Sequence, residues 1–150
     1  MRPGLIAIAA AAIALTGTPA AGTGLLSASR PVIAILGGEL FVGEAEGHLS
    51  GAGTLTIHSQ KQPGLACAGD FTSSSALGGG SGQLSCSDGT RATFNFTRLN
   101  VFRGHGSGSF SRGPMSFAYG LSAEEAAPYL TLPAGKKLLQ TGADLALVDR

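Results

Sequence analysis

The sequence predicts an all-β domain: a strongly curved antiparallel meander of about seven strands, forming a small barrel or sandwich, with one short C-terminal helix and one disulfide. Three observations predict it. From Leu40 onward apolar and polar residues alternate with period two, the mark of strands that bury one face. A Gly-x-Gly pair leads three times into a large apolar side chain, at Gly51-x-Gly53-x-Leu55, Gly80-x-Gly82-x-Leu84 and Gly106-x-Gly108-x-Phe110; each unit then meets a turn glycine, Gly64, Gly89 or Gly113. Cys67 and Cys86, the chain's two cysteines, both fall on the inward parity.

Residues 1–20 have the layout of a secretory signal peptide. Arg2 supplies the positive start, an unbroken Ala/Ile/Leu run follows from Leu5 to Leu15, and small residues offer cleavage after Ala20. The run is too short for a permanent bilayer span. Leu15-Thr16-Gly17-Thr18 resembles a bacterial lipoprotein signal with Thr18 where the lipid-bearing Cys would stand, so the expected product is periplasmic or secreted and not lipid-anchored. Loss of residues 1–20 leaves nine Lys and Arg against nine Asp and Glu, and this neutrality argues against a nucleic-acid partner. No transmembrane span is expected after cleavage. In an exported chain the two cysteines read as one structural disulfide, since neither Cys-x-x-Cys spacing nor a neighbouring His marks a metal or redox pair.

Residues 21–38 read as a flexible arm and a possible edge strand. Ala21 to Arg30 has no period, Pro31 opens Val32 to Leu36, and Gly37-Gly38 breaks it. Residues 39–120 form the antiparallel β-domain. Parity places Phe41, Gly43, Ala45, Gly47 and Leu49 on the inner face, with Glu44, Glu46 and His48 outside. The later inner sets are Gly53, Leu55, Ile57; Leu65, Cys67, Gly69, Phe71; Gly82, Leu84, Cys86; Ala92, Phe94, Phe96; Gly106, Gly108, Phe110; and Met115, Phe117, Tyr119.

Facing residues must share a side of the sheet, which constrains each hairpin. A three-residue loop Ser87-Asp88-Gly89 pairs Leu84 with Ala92 and Gly82 with Phe94. In the last hairpin, a four-residue loop is expected because Pro114 has no amide hydrogen; it pairs Phe110 with Met115, Gly108 with Phe117 and Gly106 with Tyr119. Around Pro63-Gly64, Ile57 pairs with Leu65, and Gly51 faces Phe71. In each case inner glycines face aromatic rings, which restores packing and lets the sheet coil.

Residues 121–150 hold a short helix and the tail. Ser122-Ala123-Glu124-Glu125 is a capping box, Pro128 limits the helix, and Tyr129, Leu130 and Leu132 dock it on the sheet. The tail is weakly patterned and is expected to add at most one strand.

The chemistry-bearing candidates are few. Glu44, Glu46 and His48 share an outer face at about 7 Å steps. They are the candidate metal ligands, with His58 and His105 outward on other strands, although solvated outer faces carry such residues routinely. Gly104-His105-Gly106-Ser107-Gly108 lacks the following helix that a phosphate loop needs. No Gly-x-Ser-x-Gly elbow precedes a helix. Arg98, Arg103 and Arg112 lie near strand ends as dispersed surface arginines or a site for an acidic partner. No cofactor is implied, and no catalytic residue stands out.

The run Gly80-x-Gly82-x-Leu84-x-Cys86-x-Asp88-Gly89 and the later Phe117-x-Tyr119-Gly120 resemble small uncharacterised bacterial envelope proteins and lipoproteins, over about Gly43 to Leu132. The hairpins also have weak MORN-like character, without the Tyr-x-Gly opening and with unequal spacing. The resemblance implies export and a β-fold, and brings no activity with it.

The expected role is therefore non-enzymatic: a periplasmic or secreted β-domain that binds another envelope protein or contributes to envelope structure. A carrier of a small apolar ligand is the first alternative. It requires an internal cavity lined by Phe71, Phe94, Phe96 and Phe117. A metal-dependent hydrolase is the second, requiring Glu44, Glu46 and His48 with His58 or His105 around one cleft.

Overall fold

Eight consecutive strands, each hydrogen-bonded to the next and the last to the first, close into an antiparallel barrel in the computed structural model. The structure describes residues 27–74 and 78–150. The signal-peptide reading of residues 1–20, Thr18 with it, and residues 21–26 of the expected arm lie outside the described residues. The barrel strands are β1 (Ser27–Leu36), β2 (Glu39–His48), β3 (Ala52–Ser59), β4 (Ala66–Ser74), β5 (Gly79–Cys86), β6 (Arg91–Asn100), β7 (Arg103–Phe110) and β8 (Gly113–Tyr119). After β8 come a one-turn helix α1 (Ala123–Ala126), a 3-10 turn (Ala127–Tyr129), and a hairpin of β9 (Lys136–Thr141) and β10 (Asp144–Asp149).

The expected faces hold within the barrel strands. On β3, for example, Gly53, Leu55 and Ile57 are buried and Thr54, Thr56 and His58 exposed. Leu49, expected on the inner face, instead lies in the β2–β3 turn and is exposed. Cys67 and Cys86 are directly paired on β4 and β5 and form the disulfide. The β5–β6 hairpin has the expected register, Leu84 with Ala92 and Gly82 with Phe94. Gly89 takes a positive φ of 87° in its loop, and its amide donates to the Cys86 carbonyl at 3.0 Å.

Two registers differ from expectation by two residues, which preserves the faces and moves the partners. Ile57 faces Cys67 rather than Leu65, and Phe71 faces Gly53 rather than Gly51. Ser59, joined to Leu65 by a 2.9 Å amide–carbonyl bond, closes the connecting loop and organises it. The Ser59 hydroxyl accepts from the amides of Lys61 at 3.1 Å and Gln62 at 2.8 Å and donates to Glu39 at 2.6 Å. In the last hairpin Phe110 faces Gly113, so Met115, Phe117 and Tyr119 face Gly108, Gly106 and Gly104. Pro114 tolerates the tight turn because its backbone bonds away from β7: its carbonyl accepts from Gly37 at 2.9 Å. A residue's amide and carbonyl point the same way in an antiparallel strand, so the missing hydrogen costs the hairpin nothing.

The expected arm and edge strand are corrected more deeply. Ser27–Leu36 is one strand paired with both β2 and β8, and no barrel edge remains. Val32 to Leu36 are all buried because their inner side chains fill the barrel while Ile33 and Ile35 lie under the C-terminal segment. A strand covered on both faces reads as an unbroken apolar run. The capping box forms as expected: the Glu125 amide donates to the Ser122 hydroxyl and the Ser122 amide to the Glu125 carboxylate, both at 3.2 Å. Leu121, Ala123, Ala126 and Leu130 complete an outer apolar cluster with Ile33, Ile35, Leu40 and Ala118. Beyond them the tail forms two strands rather than one.

Candidate functional site: an apolar cavity with a basic mouth

The barrel is solid at one end and hollow at the other. Towards the β1–β2, β3–β4, β5–β6 and β7–β8 turns, Leu36, Phe41, Leu65, Cys67, Cys86, Ala92, Phe110 and Met115 pack as a buried core. At the opposite end, bordered by residues 49–51 and 101–102, a cavity of about 400 Å³ opens. Eight-stranded barrels sit near the size at which side chains just fill the interior or leave room for one small ligand, and this barrel does each in one half.

The space arises from the glycine pattern. Phe71 lies between Gly53 and Gly82, Phe94 between Gly82 and Gly108, and Phe96 between Gly80 and Gly106 on flanking strands. A Cβ at Gly53, Gly80, Gly82 or Gly106 would overlap an aromatic side chain. The rings thus lie along the sheet on bare backbone. Phe71 meets Phe96 edge-on at 5.5 Å between centroids, and Phe94 meets Phe117 at 5.1 Å. All four phenylalanines line the cavity, with Val32, Ala45 and Leu55.

The mouth is chemically different. Arg30 continues the inner parity of Val32 on β1, and Arg98 that of Phe96 on β6; both line the cavity. The Arg30 guanidinium sits 4.3 Å from the Phe102 ring centroid and donates to the Ser29 carbonyl at 2.7 Å. Burial pushes the Tyr119 phenol above its ordinary value of 10.0, against the pull of nearby Arg98, so it remains a neutral hydrogen-bond donor at neutral pH. Among the described residues, no Asp or Glu lines the cavity. Of the other described arginines, Arg103 pairs with Glu125 and Arg112 with Asp88, the latter at 3.0 Å, while Arg91 and Arg150 on the outside have no ion pair among the described residues. The rim carries exposed apolar side chains, Leu49 80% and Val101 74% accessible.

The other candidates are not brought together. Glu44 and His58 border an outer hollow of about 840 Å³ between β2–β3 and the β9–β10 hairpin, which Glu46 and His48 do not line. His105 is stacked on Tyr129, 3.9 Å between centroids, on β7, three strands round the barrel from β2. Among the described residues no three His, Cys, Asp or Glu side chains are grouped to hold a metal ion. Gly104, Gly106 and Gly108 form part of β7 and pack against Tyr119, Phe117 and the β6 backbone. No described helix is long and apolar enough to cross a membrane.

The sequence reads Arg30 as part of an arm and Arg98 as a dispersed surface arginine or a site for an acidic partner; the structure places both along the cavity. Extending parity by two residues beyond Val32 and Phe96 finds both. Compared with family models, curated proteins and solved structures, the chain matches none.

Proposed function

We propose that this protein is an exported binding protein whose barrel holds one small, largely apolar ligand in its open half. The carrying observation is the roughly 400 Å³ hollow lined by Phe71, Phe94, Phe96 and Phe117 above a solid core. That volume lies within the usual range of about 300–1,000 Å³ for small-molecule sites, and apolar walls with a few polar groups at one end are the usual composition. The disulfide and the signal-like N-terminus support an oxidising compartment, periplasmic or extracellular.

Displacement of an environment-sensitive apolar dye, followed by calorimetry with the displacing compound, tests the reading. The protein is expected to bind the dye with one site per chain. Ala45→Leu, which adds volume inside the cavity, should weaken binding at least about tenfold while leaving the circular-dichroism spectrum of the barrel intact. Equal dye binding by wild type and variant would place the ligand elsewhere.

A further inference from the structure

We infer that the ligand is an anionic amphiphile, one apolar chain ending in a carboxylate or phosphate that is held at the mouth by Arg30 and Arg98. The inference rests on the binding reading above and adds the head-group chemistry. Two guanidinium groups, on strands far apart in sequence, converge on the mouth of one apolar cavity. Neither has an ion-pair partner among the described residues, whereas Arg103 and Arg112 do. Residues 1–26 and 75–77 contain no Asp or Glu, so the chain outside the described residues cannot supply one either.

A ligand seated in the cavity would cover these cations. A neutral head would then leave two partly desolvated guanidiniums unmatched, and a cationic head would be repelled. A carboxylate or phosphate satisfies both, because each offers the oxygen geometry that the guanidinium fork recognises. Tyr119, beside Arg98 and holding its proton, adds a neutral donor to the same end. The reach fits a chain. Arg98 stands four residues beyond Phe94 on β6, about 13 Å of strand. At a barrel tilt of about 40° that is on the order of 10 Å along the axis. The interior width of an eight-stranded barrel admits one such chain.

Four probes with the same tail separate the possibilities: dodecanoic acid, dodecyl phosphate, dodecanol and dodecylamine, each titrated below its micelle-forming concentration into protein expressed from the full coding sequence. The acid, the phosphate or both should bind about tenfold or more tighter than the alcohol, and the difference between the two anions identifies the head. Arg98→Gln and Arg30→Gln should each bring the anion down towards the alcohol, leaving alcohol binding unchanged. Arg98→Lys should restore part of the loss, and Arg91→Gln on the exposed face should change nothing. Equal affinity for all four heads, or amine binding as tight as acid, would overturn the inference and leave the apolar-cavity reading standing. Failure of every probe, together with failure of the dye, would overturn both.

Discussion

Gly82 on β5 faces Phe94 on β6, and the aromatic ring lies against the glycine's bare backbone. A Cβ placed there would stand 2.5 Å from Phe94 Cζ, 2.5 Å from the Asp70 carbonyl oxygen and 2.8 Å from Phe71 Cβ. Two of these obstacles belong to β4, so moving the ring alone cannot make room.

Gly82→Ala is therefore expected to destabilise the barrel by about 1–3 kcal/mol, the usual cost of overpacking. The measurement is the midpoint of urea unfolding at unchanged m-value. Adding Phe94→Leu should recover part of that loss and no more, since the Asp70 carbonyl and Phe71 remain. A neutral Gly82→Ala would show that the ring–glycine contact does not constrain the sheet.

The disulfide joins paired positions at the solid end, with Cys67 1% and Cys86 8% exposed. Replacing both cysteines by Ala should lower stability by about 3 kcal/mol, because the bridge closes a loop of about 20 residues in the unfolded chain. The cavity lies at the other end, so ligand affinity at saturating fold should not change. Burial also predicts that a reductant acts slowly on the native protein and rapidly in denaturant. Rapid release of both thiols from the folded barrel would contradict that protection.

Asp88 should titrate well below an ordinary carboxylate. The Thr90 hydroxyl and then its amide donate to the carboxylate, and Arg112 lies beside it, lowering its pKa from 3.8 to about 2. A lowered folded-state value means that the charged carboxylate favours the fold above its unfolded pKa, and that this contribution is lost as pH falls from about 4 towards about 2. Carboxyl chemical shifts followed by NMR check the midpoint. Thr90→Val should raise it, since the largest cause is removed; an unchanged midpoint would assign the shift to the residue-90 amide and Arg112 instead.

Much of this architecture is legible in the residues. Period-two alternation identifies which side chain of each strand faces inward, and Ser122 with Glu125 marks the start of α1. At Ser87-Asp88-Gly89 parity excludes the two-residue turn, and the three-residue loop is the shortest that fits, which is the register observed. Elsewhere two loops differing by two residues satisfy parity equally, and the choice fell to local bonds: the Ser59 hydroxyl in the β3–β4 loop, and the Pro114 carbonyl turned towards Gly37. The role of β1 was hidden because Pro31 and Gly37-Gly38 look like the bounds of an edge strand, whereas its apolar run is buried on both faces.

Local periodicity and nearest-strand pairing suffice for the inner faces of β2 to β8, the Cys67–Cys86 pairing and the glycine–aromatic packing, but not for β1 as a barrel strand or for the β9–β10 hairpin. Closure of the barrel is what joins β1 to β8, leaves a cavity of about 400 Å³ at one end and places Arg30 and Arg98 along its lining. Closure depends on the registers of all eight strands together, and the volume left inside depends on rings from different strands lying along the wall instead of across it. The meeting of two arginines from β1 and β6 is a consequence of that closure, which no period along the chain encodes.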